Sequence, residues 1–469
     1  MEIPARLSHF LCAFLLILSS TSIQSVFSDA GTIGINYGRI ADNLPSPPQV
    51  VQLLKAQGIT KVKLYDTDST VLSAFSGSGI SLTVAMPNEE LSSAAANTSF
   101  TDSWLQSNIL PYHPKTNIEA IAVGNEVFVD PKNTTPYLVP AMKNVYASLV
   151  KYNVSSIKVS SPVALSALQT SYPSSSGSFK QELIEPVVKP MLNFLKQTGS
   201  YLMMNVYPFF AYSANTDTIS LDYALFRNNP GNKDSNNGLL YKNLFEAQID
   251  AVYAAVDSLG FNDVKTVVSE TGWPSKGDEN EVGASAENAA AYNGNLVRRV
   301  LTGGGTPLQP DEPLNVYLFA LFNENQKPGA TSERNYGLFY PNEKKVYDIP
   351  LTVEGLKAAP NMNESKTQVV AQPPSNAGQT WCVANEKAGK NKLQEALDYA
   401  CGEGGADCRP IQRGSTCYNP NTLVAHASYA FNSLYQKNSR RSGTCYFGGA
   451  AYVVTQSPKF GSCEFPTSN

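Results

Sequence analysis

Histidine is nearly absent from this 469-residue chain, which has only His9, His113 and His426. Two of these lie outside the first 30 residues, too few for a multi-histidine zinc or iron centre, so neither metal nor cofactor is expected. Charge is sparse as well. Charged residues make up 16% and the formal net charge is −4, which argues against nucleic acid as a partner. Past the first 30 residues no apolar run is long enough to span a bilayer, so stable membrane insertion is not expected. A Gly-rich phosphate loop is missing after the first apolar run, which ends Asn36-Tyr37-Gly38-Arg39-Ile40. His113 sits in Pro111-Tyr112-His113-Pro114 with no nucleophile elbow beside it, so a Ser-His-Asp triad is not expected.

Cysteine is unevenly spread. Cys12 lies in a segment that reads as a secretory signal over residues 1–30, with Arg6 ahead of the short apolar core Phe10–Leu18 and cleavage fitting after Ser25, Ser28 or Ala30. The other six, Cys382, Cys401, Cys408, Cys417, Cys445 and Cys463, crowd the C-terminal end without a CxxC pair. An even number in a secreted chain implies a disulfide scaffold, with 15 possible pairings. The sequons at Asn97, Asn133, Asn153 and Asn363 can carry glycans on that route. The polar end of the chain lacks the hydrophobic tail of a lipid-anchor signal, so a secreted, monomeric product is expected. Residues 355–379, with Ala358-Ala359-Pro360 and Gln372-Pro373-Pro374, read as a linker between a large domain at 31–354 and a small module at 380–469.

In the large domain, eight short apolar runs alternate with amphipathic stretches. They are Thr32–Tyr37, Lys61–Asp66, Ile80–Pro87, Ile118–Glu126, Ile157–Val163, Tyr201–Phe210, Val264–Glu270 and Leu314–Glu324. Segments such as Leu138–Val150 and Leu244–Leu259 repeat apolar residues at helical spacing, the second stopping at Gly260. Strands alternating with helices imply a parallel α/β fold, and eight of them imply a (β/α)8 barrel. An open doubly wound sheet is the rival. Gly303-Gly304-Gly305 follows a helical stretch and reads as a turn.

Side chains at the C-terminal ends of barrel strands carry function. Three runs end in glutamate: Gly124-Asn125-Glu126, Ser269-Glu270-Thr271 and Phe322-Asn323-Glu324. A carboxylate beside a buried run is costly unless partnered. Structural ion pairs are one reason for its presence. Paired acid–base work on a glycosidic bond is another, because it needs one protonated and one ionised carboxyl group.

These segments, with Ile33-Gly34-Ile35-Asn36-Tyr37-Gly38, Asn205-Val206-Tyr207-Pro208 and Thr271-Gly272-Trp273-Pro274, resemble plant glycoside hydrolase family 17 over about residues 31–352. The resemblance implies a (β/α)8 barrel and a retaining, endo-acting β-glucanase. It matches Glu126 to the acid/base and Glu270 to the nucleophile, with carboxyl groups roughly 5–5.5 Å apart. It matches Glu324 and Lys327 to polar cleft residues and Asn125 to the group near the sugar 2-hydroxyl. Lys327 near Glu324 is expected to help keep carboxylates ionised. Tyr37, Tyr65, Tyr207, Phe210, Trp273 and Phe322 fall near strand ends and could stack on sugar faces. Core packing competes for each ring, most strongly for Phe210 and least for Trp273 and Tyr207.

The six-cysteine module, opening Thr380-Trp381-Cys382, resembles carbohydrate-binding module family 43 over about 380–464. Helices are expected over Leu393–Cys401 and Ala425–Tyr435, with Tyr418, Tyr446, Phe447 and Tyr452 as candidate contacts. The reading is a secreted enzyme cleaving internal 1,3-β-glucosidic bonds, with 1,3-β-glucan polysaccharide as its partner. Transglycosylation, mixed-linkage glucan cleavage and a non-catalytic wall-binding protein are the alternatives.

Overall fold

The expected apolar runs become the staves of a barrel. In the computed structural model the described residues are 30–358 and 380–467, except 386–387, 403, 439, 441–443, 446, 448–449, 455–456 and 462. The signal reading, save for Ala30, lies outside them, as do the Asn363 sequon and most of the linker reading.

The parallel strands are β1 (Thr32–Tyr37), β2 (Lys61–Leu64), β3 (Ser81–Met86), β4 (Asn117–Val123), β5 (Lys158–Ser160), β6 (Pro162–Ala164), β7 (Leu202–Asn205), β8 (Thr266–Thr271) and β9 (Asn315–Leu318). Their order around the sheet is β5-β4-β3-β2-β1-β9-β8-β7-β6. The nine strands occupy eight stave positions. The fifth stave breaks at Ser161, so Lys158–Ser160 pairs with β4 while Pro162–Ala164 pairs with β7. One residue joins these two edges, so the ring is nearly closed.

Helices follow the staves where their patterns predict, at Pro47–Ala56, Leu138–Lys151, Leu244–Asp257 and Ala286–Leu301. Gly260, beyond the third of these, takes φ +82, a conformation that glycine adopts without a Cβ penalty. The apolar core includes Leu54, Leu72, Leu149, Leu192, Ile249 and Leu296, all buried. A smaller cluster holds Ala85, Ala120, Ala122 and Met203. Beside it in the chain pattern runs a polar network: Lys61 Nζ lies 2.8 Å from Glu119, which also accepts from Tyr317 Oη at 3.0 Å.

Three expected boundaries are corrected. The run 201–210 ends its strand at Asn205, and Pro208–Ala214 is a helix because proline at its first position suits helix entry. The last run leaves the ladder after Leu318. A helix at Val353–Ala358 occupies the expected start of the linker.

The chain divides into two compact units, with the division between Lys366 and Thr367. In the second, β10 (Trp381–Ala384) pairs antiparallel with β11 (Ala451–Val454). Helices Lys390–Cys401 and Leu423–Lys437 pack with this ribbon around Phe431, Leu434 and Ala430. The 15-fold ambiguity resolves to Cys382–Cys445, Cys401–Cys408 and Cys417–Cys463. Among the described residues no helix is long and apolar enough to cross a membrane.

Candidate active site

The three glutamates meet in one cleft of about 930 Å³ at the C-terminal mouth of the barrel, lined also by Asn125, Asn205, Tyr65, Tyr207, Phe210 and Lys327. Glu126 leaves β4 through a tight turn. Gly124 has φ +69, and a Cβ there would meet Val127 at 2.5 Å. Glu126 itself is left-handed at φ 50, uncommon for a residue with a side chain. Asn88 secures the turn, its Oδ1 accepting from Asn125 N at 2.7 Å and its Nδ2 donating to Asn125 O at 3.0 Å. The Asn125 side-chain oxygen has no protein hydrogen-bond partner.

Glu270 occupies the end of β8 and is buried. Its Oε1 accepts from Lys63 Nζ at 2.7 Å and lies 2.8 Å from Tyr65 Oη, while Oε2 accepts from Tyr207 Oη at 3.0 Å. Asn205, register partner of Glu270 on β7, donates through Nδ2 to Glu126 Oε1 at 2.8 Å. One amide therefore couples the two carboxyl-bearing staves.

The environments split the pair. Burial, then the negative charge of Glu270, pushes the Glu126 carboxyl above the usual glutamate range, outweighing Asn205 and Lys63. Burial pushes Glu270 the same way, but the Lys63 charge and hydrogen bond, with Tyr65 and Tyr207, bring it below that range. The two proton affinities are thus pushed apart, Glu126 up and Glu270 down, the direction in which acid and nucleophile roles divide.

Glu324 is buried, and its Oε1 accepts from Ile40 N at 2.8 Å. Gly38 makes the room, since a Cβ there would lie 2.5 Å from a Glu324 oxygen. Lys327 Nζ makes its ion pair with Glu333, at 3.3 Å, and lies 4.3 Å from the Phe319 ring centroid. Burial pushes the Glu324 carboxyl up, and the Lys327 charge draws it down in the expected direction without outweighing that burial.

The aromatic expectations divide. Tyr65 and Tyr207 line the cleft, with their rings edge-on to Phe319 and their hydroxyls on Glu270. Trp273, expected to be a sugar platform, is 0% exposed and packs on Phe209, Tyr212 and Tyr292, its N–H donating to Gly283 O at 2.9 Å. Tyr37 and Phe322 are also buried, edge-on to each other, and neither lines the cleft. Large rings with few polar needs gain more by burial under the loops than at the mouth. Phe210, the ring for which core packing competed most strongly, is 49% exposed on the cleft wall.

Sequence reasoning missed Lys63 and Asn205. Lys63 carried a signal: it stands between the apolar residues Val62 and Leu64 on a stave, so strand alternation sends its charge where only a buried carboxylate could balance it. His113 precedes β4 and so lies toward the opposite, N-terminal rim. Asn97, Asn133 and Asn153 are exposed. In the small module Phe447 stacks on Phe431 at 4.1 Å, Tyr418 lies 5.5 Å from His426, Tyr452 is exposed, and Tyr446 lies outside the described residues. Among the described residues no three His, Cys, Asp or Glu side chains cluster as metal ligands.

A parallel β/α barrel whose mouth holds carboxyl groups of opposed proton affinity is the arrangement of a glycosidase. The chain belongs to glycosyl hydrolases family 17, whose model matches residues 33–351, and it carries an X8 domain, a family 43 carbohydrate-binding module, at 380–452. It is 43% identical over 441 residues to glucan endo-1,3-beta-glucosidase 13 of Arabidopsis thaliana, covering 93% of this chain and 86% of that one. It is 38% identical to a glucan endo-1,3-beta-D-glucosidase of Olea europaea, covering 97% and 98%. Among solved structures it resembles CJP38, a beta-1,3-glucanase and allergen of Cryptomeria japonica pollen. That match has TM-score 0.66 and 42% identity, over 69% of this chain and 99% of that one.

Proposed function

We propose that the chain is a secreted, endo-acting glucan endo-1,3-beta-glucosidase that cleaves callose- and laminarin-type 1,3-β-glucans with retention. The observation that carries this reading is the opposed proton affinity of Glu126 and Glu270 in one cleft. Glu126, protonated, donates to the departing glycosidic oxygen. Glu270, ionised, attacks the anomeric carbon to form a glycosyl-enzyme, and Glu126, now the base, takes a proton from the water that releases the sugar. Lys63, Tyr65 and Tyr207 hold the nucleophile and Asn205 orients the acid. Names of relatives support 1,3-linkage as the bond cut. The X8 domain supports a polysaccharide partner and would keep the barrel near an insoluble polymer. The apolar leader supports export, and the exposed sequons at Asn97, Asn133 and Asn153 suit glycan attachment, with Asn363 a fourth sequon.

The test is product analysis on laminarin. The first-formed reducing end should be the β-anomer, and Glu126→Gln and Glu270→Gln should each lower kcat by more than about a hundredfold while the fold persists. If both variants keep near-normal rates, the reading is wrong. Products longer than the substrate would show transglycosylation, and faster cleavage of mixed-linkage glucan would move the linkage assignment.

A further inference from the structure

A second cavity, of about 540 Å³, lies beside the cleft. Ala211 and Gln248 line both spaces, so the two share a wall. The remaining lining comes from the segments inserted after the fifth and sixth staves, including Tyr172, Thr218, Asp234 and Tyr241. The volume falls within the range of small-ligand sites, and the lining mixes apolar surface with a few polar groups.

One of those polar groups is unfulfilled. The Tyr241 hydroxyl, 2% exposed, is already directed at Asp250 and Ser174. The Gln248 side-chain oxygen, in contrast, is buried without a partner. Leaving such an atom unpaired costs free energy that a bound polar ligand recovers.

At the rim stands Tyr172, 71% exposed. Its loop is firmly tied. Ser174 Oγ donates to Ala247 O at 2.8 Å, and Asp234 accepts from Ser175 N at 2.8 Å and from Ser175 Oγ at 2.9 Å. Asn236 Nδ2 donates to Ser175 Oγ at 3.1 Å and Ser176 Oγ at 3.0 Å. A ring presented to water by so well-anchored a loop does nothing for the core. It offers a flat face to a C–H-rich partner, as a pyranose is.

We propose that this chamber is a glucosyl-binding site, separate from the residues that flank cleavage, which takes a sugar unit of the same polysaccharide whose chain lies over Glu126 and Glu270. Tyr172 stacks on the ring, and Gln248 bonds its hydroxyls. The sugar is either a further unit of the main chain or a side branch, both β-glucosyl in chemistry. The inference rests on the glucanase reading above.

The experiment compares kcat/KM of the full chain, Tyr172→Ala, Tyr172→Trp and Gln248→Ala on three substrates: the shortest linear 1,3-glucan oligosaccharide cleaved, a long linear one, and a 6-O-branched glucan. Tyr172→Ala and Gln248→Ala should each lower the ratio of a larger substrate to the shortest by about fivefold, and Tyr172→Trp should restore it. A loss on long linear substrate places the main chain in the chamber, and a loss confined to branched glucan places a branch there. Unchanged ratios in both variants overturn the proposal. A wild-type chain that cleaves no 1,3-glucan overturns instead the reading on which it rests.

Discussion

Two unlike charges decide the chemistry of the mouth. Lys63 is 1% exposed and its ammonium lies against Glu270 and 4.0 Å from the Tyr65 ring centroid. Remove it and the burial of Glu270 goes unopposed by a cation, so that carboxyl titrates at higher pH. The acid limb of the kcat/KM profile reports the nucleophile's ionisation and the alkaline limb the acid's deprotonation. Lys63→Met should therefore move the acid limb up by about one to two pH units and lower the plateau, while Lys63→Arg should keep the limb near its native position. An unmoved limb in Lys63→Met would deny the lysine its role. At this scale the sequence was legible where charge met an apolar run: Glu126, Glu270 and Glu324 each follow one, and all three reach the cleft. Aromatics were not legible in the same way. Nothing in Trp273 or Phe210 as letters says which of them faces water, because that depends on segments returning from other staves, such as helix Pro208–Ala214, which brings Phe209 and Tyr212 against Trp273.

Elements show the same division between local and returning chain. Each stave was visible as an apolar run because a parallel strand is covered on both faces, but its end was not, since the ladder stops where the neighbour turns away. The break at Ser161 is such a case. Helix Leu244–Asp257 was readable from its period, yet its polar tether was not. Asp250, fully buried, accepts from Leu308 N at 2.8 Å and so ties that helix to the loop before β9. Beside it Glu246 accepts from Arg299 Nε at 2.6 Å, and the same guanidinium bonds the carbonyls of Gly303, Gly304 and Gly305, which form the expected turn. Burial pushes Asp250 up to about 6, against hydrogen bonds that favour its ionised form. Because the folded value lies above the unfolded one, this residue's contribution is fully present below about pH 4 and lost as pH rises through 6. The loss is about 3 kcal/mol at neutral pH. Asp250→Asn keeps an acceptor for Leu308 and cannot ionise. Denaturant unfolding of the variant should show a smaller fall in stability between pH 4 and 7 than the native barrel shows, and an equal fall would refute the assignment.

Over the whole molecule the two units hold together by different means. The barrel's core is broad and, from residue 31 to 379, the chain has no cysteine. The small module has a smaller core, crossed by three disulfides that close separations of 63, 7 and 46 residues. A small domain buries a lesser fraction of its surface and leans on cross-links, each worth about 2–5 kcal/mol when removed. The cysteine count made the scaffold legible, whereas the pairing was not, because it is set by which turns the helices Lys390–Cys401 and Leu423–Lys437 bring together. Reduction should therefore separate the units. With a mild reductant, calorimetry should show the module's transition move down or vanish while the barrel's stays in place, and cleavage of soluble glucan should persist. The same preparation should lose retention on insoluble 1,3-glucan, as should a chain ending before Thr380. If the reduced or truncated protein still sediments with the polymer as the native chain does, the barrel's cleft alone supplies the grip and the module has another task. If instead the barrel melts with the module, the two cores are not independent.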